Sequence, residues 1–528
     1  MSLLSLLSRE SVDSTDSTDS TDSTDSIDST DSRKENMKTS RREFLTKSGC
    51  AVGMAAIATQ VQHFGMMSVL AQTVEDSSAQ SVPNDYRALV CIFMQGGNDG
   101  NNTVIPIHND ASVSNYSAYS NARTASGLAI AQNALLPIAV PRMNNLSYGL
   151  NPNFGTVTGG INNGIHELWA QGRMAIATNV GTLVRPTTRT QYQTNAVPKP
   201  FQLFSHSDQV SQYQSGRSDQ NSFTGWGGRI SDRRTQADNP GGLVPMITSI
   251  SGAQLFTAGQ STLPLAINNA GTSLSTVLTP QGFNTSAASQ ARLSAFNQLR
   301  AQDLTSNYIA AASHITNQAI QANQALATFQ EVTVAFPNTS IGNQLKQVAR
   351  LIKKRADLSV NRQIFYVQIG SFDTHNSQLN GQSTLLSQMS QAVRAFYDEM
   401  VAQGVSNNVT TFTMSDFSRT FNPAGSGATV GSDHAWANHM FVVGGAVSGG
   451  NFYGVNTSNG TPYPTLQMNG PDDADNGTNA RGRWIPTTAV EQYAATLARW
   501  YGLSDSDLPI VFPNIGNFPT NDLGFMQP

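Results

Sequence analysis

The run Arg87-Ala-Leu-Val-Cys-Ile-Phe-Met-Gln95 is near-continuously apolar and of strand length, and it ends in Gly96-Gly97-Asn98-Asp99-Gly100-Asn101-Asn102-Thr103. A strand that is apolar on both faces belongs in the middle of a parallel sheet covered by helices on both sides. The glycines let the backbone turn tightly and come close to a ligand, although the same residues also read as a plain turn. Asp99 then stands at the carboxyl edge of the sheet, where ligands of open α/β sheets sit.

The same pattern recurs downstream. Strand-like runs at 363–369 and 409–414 lead into Gly370-Ser371-Phe372-Asp373-Thr374-His375 and Ser415-Asp416-Phe417-Ser418-Arg419-Thr420. Gly431-Ser432-Asp433-His434-Ala435-Trp436-Ala437-Asn438-His439 follows. Further strand-like runs lie at 174–179, 244–250, 263–267 and 439–447. Helix-like spacing marks 162–171, 379–403, 487–501 and a long stretch from about 287 to 355, in which 343–352 is amphipathic. This alternation predicts an α/β fold: a doubly wound, mostly parallel sheet with helices on both faces and a helical insertion. Residues 86–528 read as a single domain.

Chemistry-bearing residues gather just after these strands. The chain has eight His. His375, His434 and His439 follow strand ends or precede strands, and His206 lies in Phe204-Ser205-His206-Ser207-Asp208. Carboxylate oxygens and neutral imidazoles are what a hard-to-borderline divalent metal needs. The same residues also serve as helix caps and loop ties. Ser205 can cap a helix starting at His206, or stand as a nucleophile at the positive end of its dipole. Gly225-Trp226-Gly227-Gly228-Arg229 reads as a tight turn into a helix, with Arg229 as an anion contact. Asp472, Asp473 and Asp475 read either as a Ca²⁺ loop or as a solvated loop.

Composition narrows the class. Charged residues are 12% of 528 and the net charge is −4. No basic stretch suits nucleic acid, which is excluded as a partner. Of the two cysteines, Cys50 lies in the leader and Cys91 in the apolar strand, so no disulfide framework is expected. Cys91 reads as a buried small hydrophobe.

Residues 11–32 form an acidic Ser-Thr-Asp repeat with almost nothing to bury, and are expected to be disordered. Met37-Lys-Thr-Ser-Arg41-Arg42-Glu-Phe44-Leu45-Thr-Lys47 then opens a twin-arginine signal that runs from 37 to about Ala71. Residues 1–36 are therefore read as an over-extended start. Gln60, Gln62 and His63 interrupt the apolar run, which argues against a permanent membrane span. The expected location is periplasmic or extracellular, reached in the folded state through the twin-arginine machinery. That route often carries cofactor-loaded proteins.

Together, the signal, Phe93-Met-Gln-Gly-Gly-Asn-Asp-Gly-Asn-Asn-Thr103, Gly370-Ser-Phe-Asp-Thr-His375, Ser415-Asp-Phe-Ser-Arg-Thr420, Ser432-Asp-His-Ala-Trp436, Gly444-Gly-Ala-Val447 and Arg481-Gly-Arg-Trp-Ile-Pro-Thr-Thr488 resemble a bacterial family called domain of unknown function 1501. The resemblance spans about residue 37 to the C-terminus. The family more often has Glu and Gly at positions 416 and 418. Asp416 keeps the carboxylate but shortens its reach. The family is similar in fold to the alkaline phosphatase and sulfatase superfamily, which implies one or two divalent ions (Zn, Mg, Mn or Ca) at the sheet edge. By that resemblance the metal ligands are Asp99, Asp373, His375, Asp433 and His434. No His follows His439, so His439 or His206 would have to supply the missing imidazole. The Cys/Ser-x-Pro-x-Arg signature is absent, which disfavours a formylglycine sulfatase.

The expectation is a metal-dependent hydrolase acting on a small anionic phosphate or sulfate ester, or on a polysaccharide. Ser205 or water would be the nucleophile, Arg419 would fork onto ester oxygens, and His206 or His439 would be the general acid. The alternative is a non-catalytic secreted or cell-surface protein on the same fold.

Overall fold

Residues 85–155, 163–277, 283–299, 302, 307–327, 331–423 and 425–528 are described by a computed structural model. They belong to one compact unit, Gln60–Pro528; the other, Met1–Thr59, lies outside the described residues. The repeat and most of the twin-arginine segment fall in that second unit, and the rest of the signal also lies outside the described residues.

The apolar run Arg87–Met94 forms β1, which pairs in parallel with β8 (Arg362–Ile369) on one side and β9 (Val409–Ser415) on the other. Its alternate residues serve two cores. Val90, Ile92 and Met94 face the layer built by the helices Ser340–Lys353 and Gln378–Ala402. Leu89, Cys91 and Phe93 face the layer that includes Tyr213, Trp226, Ile230, Tyr493 and Leu497. Burial on both faces is why the run is continuously rather than alternately apolar. Fully burying each Leu, Ile or Phe contributes about 1.5–3 kcal/mol.

The remaining strands are β2 (Val104–Pro106), β3 (Leu136–Val140), β4 (Leu146–Leu150), β5 (Met174–Gly181), β6 (Ile247–Ser249), β7 (Leu265–Ala266), β10 (Asn438–Gly444), β11 (Phe452–Tyr453) and β12 (Thr488–Ala489). The main sheet has the order β11-β5-β10-β9-β1-β8-β6-β7, with β12 beside β5. Only β10 runs antiparallel, against both β5 and β9. The fold is therefore α/β, with a mixed but mostly parallel sheet between helical layers. The carboxyl ends of β1, β5, β8 and β9 lie at one rim, with the start of β10.

A second sheet, β2-β4-β3, is antiparallel and lies between β1 and β5 in sequence. The sequence reading assigned no element there, because strands of three to five residues fall below the window in which periodicity is legible. The stretch read as helical from 287 to 355 forms the helices Ala287–Leu299, Asn307–Ala327 and Ser340–Lys353. The last buries Ile341, Leu345, Val348 and Ile352, and Thr339 accepts from Gly342 N to cap it.

The helix Val490–Tyr501 carries a buried acid, Glu491, in its first turn. Burial pushes its pKa up to about 7, and Ser218 Oγ reaches it at 3.4 Å. A folded pKa above the ordinary Glu value means stability is fullest below about pH 4.5 and declines as pH rises through 7. Glu491→Gln is therefore expected to gain about 2–3 kcal/mol at pH 8 and little at pH 4. Urea midpoints at the two pH values check this, and equal shifts at both would refute it.

Candidate functional site

The site forms where the loops after β1, β8 and β9 meet the start of the helix His206–Ser215. Each loop is fixed by backbone pairing. Residues 418–420 pair back on 433–436 through Thr420 N to Asp433 O at 2.9 Å and Ala435 N to Ser418 O at 2.9 Å. The loop after β8 joins the same layer through Ser377 N to Thr429 O at 3.0 Å and Gln378 N to Val430 O at 3.1 Å. Residues 52 positions apart are thus brought side by side.

Three imidazoles converge on one carboxylate oxygen. Asp373 Oδ1 lies 3.4 Å from His206 Nε2, 3.1 Å from His375 Nε2 and 3.7 Å from His434 Nε2. His206, Asp373 and His434 offer ligand atoms all within 4.8 Å of one another. His375 Nε2 is 3.1 Å from His434 Nε2.

The other nitrogen of each ring faces an acceptor. His206 Nδ1 meets Asp416 Oδ2 at 2.7 Å, His434 Nδ1 meets the Phe204 carbonyl at 2.8 Å, and His375 Nδ1 meets Asp433 Oδ1 at 3.3 Å. Nδ1–H donation by His206 and His434 to their acceptors leaves Nε2 as the lone-pair atom on those two rings. At 3.1 Å an Nε2–H of His375 can donate to the lone pair of His434 Nε2. His206 Nε2 is buried and has no hydrogen-bond partner. An orphaned ring nitrogen beside a carboxylate and two further imidazoles fits a divalent metal, with the Nδ1 acceptors as its outer support.

The electrostatics follow the contacts. The Asp416 carboxylate raises the His206 pKa against the effect of burial. Burial lowers that of His434, against the pull of its bond to the Phe204 carbonyl. Partial burial works against ionisation of Asp373, but the Arg419 bond and charge outweigh it and hold its pKa below the usual carboxylate range. Phe417 forms a wall under two of the rings, stacked on His434 at 4.6 Å and tilted against His206 at 4.7 Å.

Asp416 was not among the site residues expected from sequence. Its signal was present: it is the family's carboxylate position at the end of a strand, here one carbon shorter. Asp416 is 1% exposed, and its second oxygen accepts from Gly96 N at 3.0 Å. Gly96 and Gly97 have φ of +109° and +84°. A Cβ on Gly96 would lie 2.4 Å from Asp373 N, and one on Gly97 would lie 2.6 Å from the Phe417 ring. The glycine turn therefore lets β1 pass directly against the loops that carry the cluster.

Several expected residues stand elsewhere. Asp99 is fully buried and paired with Arg123, Nη1 to Oδ2 at 2.5 Å, and it also accepts from Asn101 N at 3.1 Å and from Gln378. It does not join the cluster, because an adjacent guanidinium satisfies its charge. Arg419 is 0% exposed. It donates to Gly97 O at 2.9 Å, Ser432 O at 3.1 Å, Phe372 O at 3.2 Å, Gly96 O and Asp373. Its donors are thus spent on holding loops together, and none is left to fork onto an ester. His439 is buried, stacked on Tyr463 at 5.0 Å, and accepts from Asn179 N at 3.3 Å. Burial lowers its pKa to about 3. It is a neutral core residue, not positioned as a general acid. Asp433 lies just outside the cluster, bonded to His375 and, at 2.9 Å, to Arg481.

Ser205 precedes the helix but makes no cap bond. Its Oγ donates to Asp208 Oδ2 at 2.6 Å. Arg229 donates to Val511 O at 2.9 Å, to Thr224 O and to Ser215 O, so it ties elements together rather than facing an anion. Asp472, Asp473 and Asp475 accept from the backbone N–H groups of Ser458, Thr465, Asn469, Arg481 and Arg483, among others. Their oxygens are occupied as loop ties, and Asp472 and Asp473 are buried rather than solvated.

A family model described as "Protein of unknown function (DUF1501)" matches residues 86–465. No curated protein matches the chain. Among solved structures, the chain is similar to the PsFucS1 sulfatase from Pseudoalteromonas sp. at 9% identity and a TM-score of 0.26, over 75% of this chain and 68% of that one. It is similar to a protein in the alkaline phosphatase superfamily from Vibrio parahaemolyticus at 7% identity and a TM-score of 0.26, over 72% and 68%. It is also similar to the lipoteichoic acid synthase LtaP from Listeria monocytogenes at 6% identity and a TM-score of 0.24, over 80% and 81%. Likenesses at these TM-scores carry no argument about activity. Among the described residues, no helix is long and apolar enough to cross a membrane.

Proposed function

This chain belongs to the DUF1501 family of proteins of unknown function, and from its histidine cluster we propose that it is an exported, metal-dependent hydrolase of phosphate or sulfate esters. The observation that carries this reading is the convergence of three imidazole Nε2 atoms on Asp373 Oδ1. His206, His434 and Asp373 are the residues that would hold the ion, with His375 beside them. A bound divalent ion supplies Lewis acidity at the ester and eases deprotonation of the attacking group.

The protein groups do the rest. Asp416 and the Phe204 carbonyl hold His206 and His434 in the lone-pair-inward tautomer, and Asp433 stands 3.3 Å from His375 Nδ1. Arg419 anchors the Asp373 carboxylate. Ser205, one residue before a ligand, supplies the nucleophilic hydroxyl. Its proton already points at Asp208 and passes there as the oxygen attacks phosphorus or sulfur. The bond from phosphorus or sulfur to the ester oxygen breaks and the departing alcohol takes up the proton held by Asp208; water then cleaves the Ser205 ester, its oxygen leaving with the phosphate or sulfate and its proton returning to Ser205 Oγ. The leader at 37–71 supports export of the loaded, folded protein.

The test is turnover of aryl phosphates and aryl sulfates by purified mature protein, with metal content measured by mass spectrometry. Ser205→Ala is expected to lower kcat by about 10²–10⁴-fold while metal content stays at the wild-type level. Unchanged kcat in that variant moves the nucleophile to water. Absence of turnover in metal-replete wild-type protein overturns the hydrolase reading.

A further inference from the structure

We infer that the cluster is a single centre for a borderline transition metal, zinc or cobalt rather than magnesium or calcium, built on the imidazoles of His206 and His434 and the carboxylate of Asp373, with the fourth position open to water. This deepens the metal part of the proposed function and rests on it. The donor set is the first reason. Magnesium and calcium require six or more oxygens, largely from carboxylates, carbonyls and water. Here two of the three grouped atoms are imidazole nitrogens, and the one oxygen, Asp373 Oδ1, is also bonded to Arg419. Imidazole nitrogens select zinc, cobalt and related ions.

The spacing is the second reason. Metal–ligand bonds of about 2.0–2.1 Å in a tetrahedron place the ligands about 3.3 Å apart. Asp373 Oδ1 lies 3.4 Å from His206 Nε2 and 3.7 Å from His434 Nε2, and these three residues offer ligand atoms within 4.8 Å of one another, while His375 stands beside the group, 3.1 Å from His434. The unpartnered, buried Nε2 of His206 is directed into this space.

The third reason concerns how many ions fit. A second, harder ion would need its own oxygens, and the nearby carboxylates are committed. Asp99 is closed by Arg123, Asp416 by Gly96 N and His206, and Asp433 by Arg481 and His375. The carboxylate of Asp416, as the partner of a ligand's far nitrogen, positions His206 and raises its basicity without binding the ion.

Mature protein stripped with a chelator and titrated with Co²⁺, Zn²⁺, Mg²⁺ and Ca²⁺ tests this. The expected result is one equivalent of Zn²⁺ or Co²⁺, not displaced by a large excess of Mg²⁺ or Ca²⁺. The cobalt form should show the intense visible absorption of a four-coordinate ion. Asp416→Asn is expected to weaken cobalt binding by about 10–100-fold while the four-coordinate spectrum persists at saturation. The wild-type titration stands alone should that variant fail to fold. Two equivalents, a weak octahedral cobalt spectrum, or displacement by Mg²⁺ or Ca²⁺ would overturn the inference. One tightly bound cobalt without ester turnover upholds it and overturns the hydrolase reading. Turnover that needs two ions does the reverse.

Discussion

Asp373→Asn is expected to abolish tight metal binding and to lower kcat/KM on aryl phosphates and sulfates by at least about 10²–10³-fold, the loss typical of removing one preorganised electrostatic group. Asp373 supplies the only carboxylate oxygen on which the three imidazoles converge. Without its charge, the imidazoles lose the anionic ligand that offsets the charge of a divalent ion. The change should spare the fold. Asn keeps the size of the side chain and an oxygen to accept from Arg419, whose guanidinium also retains the carbonyls of Gly96, Gly97, Phe372 and Ser432. Metal content by mass spectrometry, a urea midpoint and kinetics on the same preparation separate these effects. Wild-type metal content with wild-type turnover would remove Asp373 from the centre, and the proposed function with it.

The second large effect is on stability. Asp99→Ala is expected to destabilise the protein by about 3–5 kcal/mol, because it leaves the fully buried Arg123 guanidinium without its counter-charge. Arg123 keeps neutral partners in Phe421 O at 2.9 Å, Thr420 O at 3.0 Å and Asn102 Oδ1 at 2.6 Å, but none carries a charge. The measurement is the shift in urea midpoint at constant m-value. Metal stoichiometry of the fraction that remains folded is expected to be unchanged. A variant of wild-type stability that has lost its metal would return Asp99 to the ligand set.

These two aspartates show how far the sequence carries. Both follow an apolar strand and sit in a Gly-rich or polar turn at the same rim, so local pattern treats them alike. What separates them is the identity of a neighbour. Arg123, 24 positions further on, closes over Asp99, whereas Asp373 meets three imidazoles from positions 206, 375 and 434. Arg419 illustrates the same limit. A guanidinium after a strand reads as an anion receptor, and here it is spent on backbone carbonyls that tie three loops together. Asp416, passed over as a site residue, gains its role only from its 2.7 Å contact with His206, 210 positions away.

What the chain determined on its own was the core strands and helices of the main sheet, though not the short β2-β4-β3 sheet, and the rim at which they present their polar residues. Hydrophobic periodicity is a local property, and a strand buried on both faces must read as β1 does. The residue types of the cluster were legible for the same reason, since each stands shortly after a strand, shortly before one, or at the start of a helix. Only the tertiary structure decided which carboxylate faces the imidazoles, which is neutralised by an arginine, and which merely orients a ring. Those outcomes depend on approaches of a few ångströms between residues tens to hundreds of positions apart, and pairwise charge and hydrogen-bond energies change steeply over that distance.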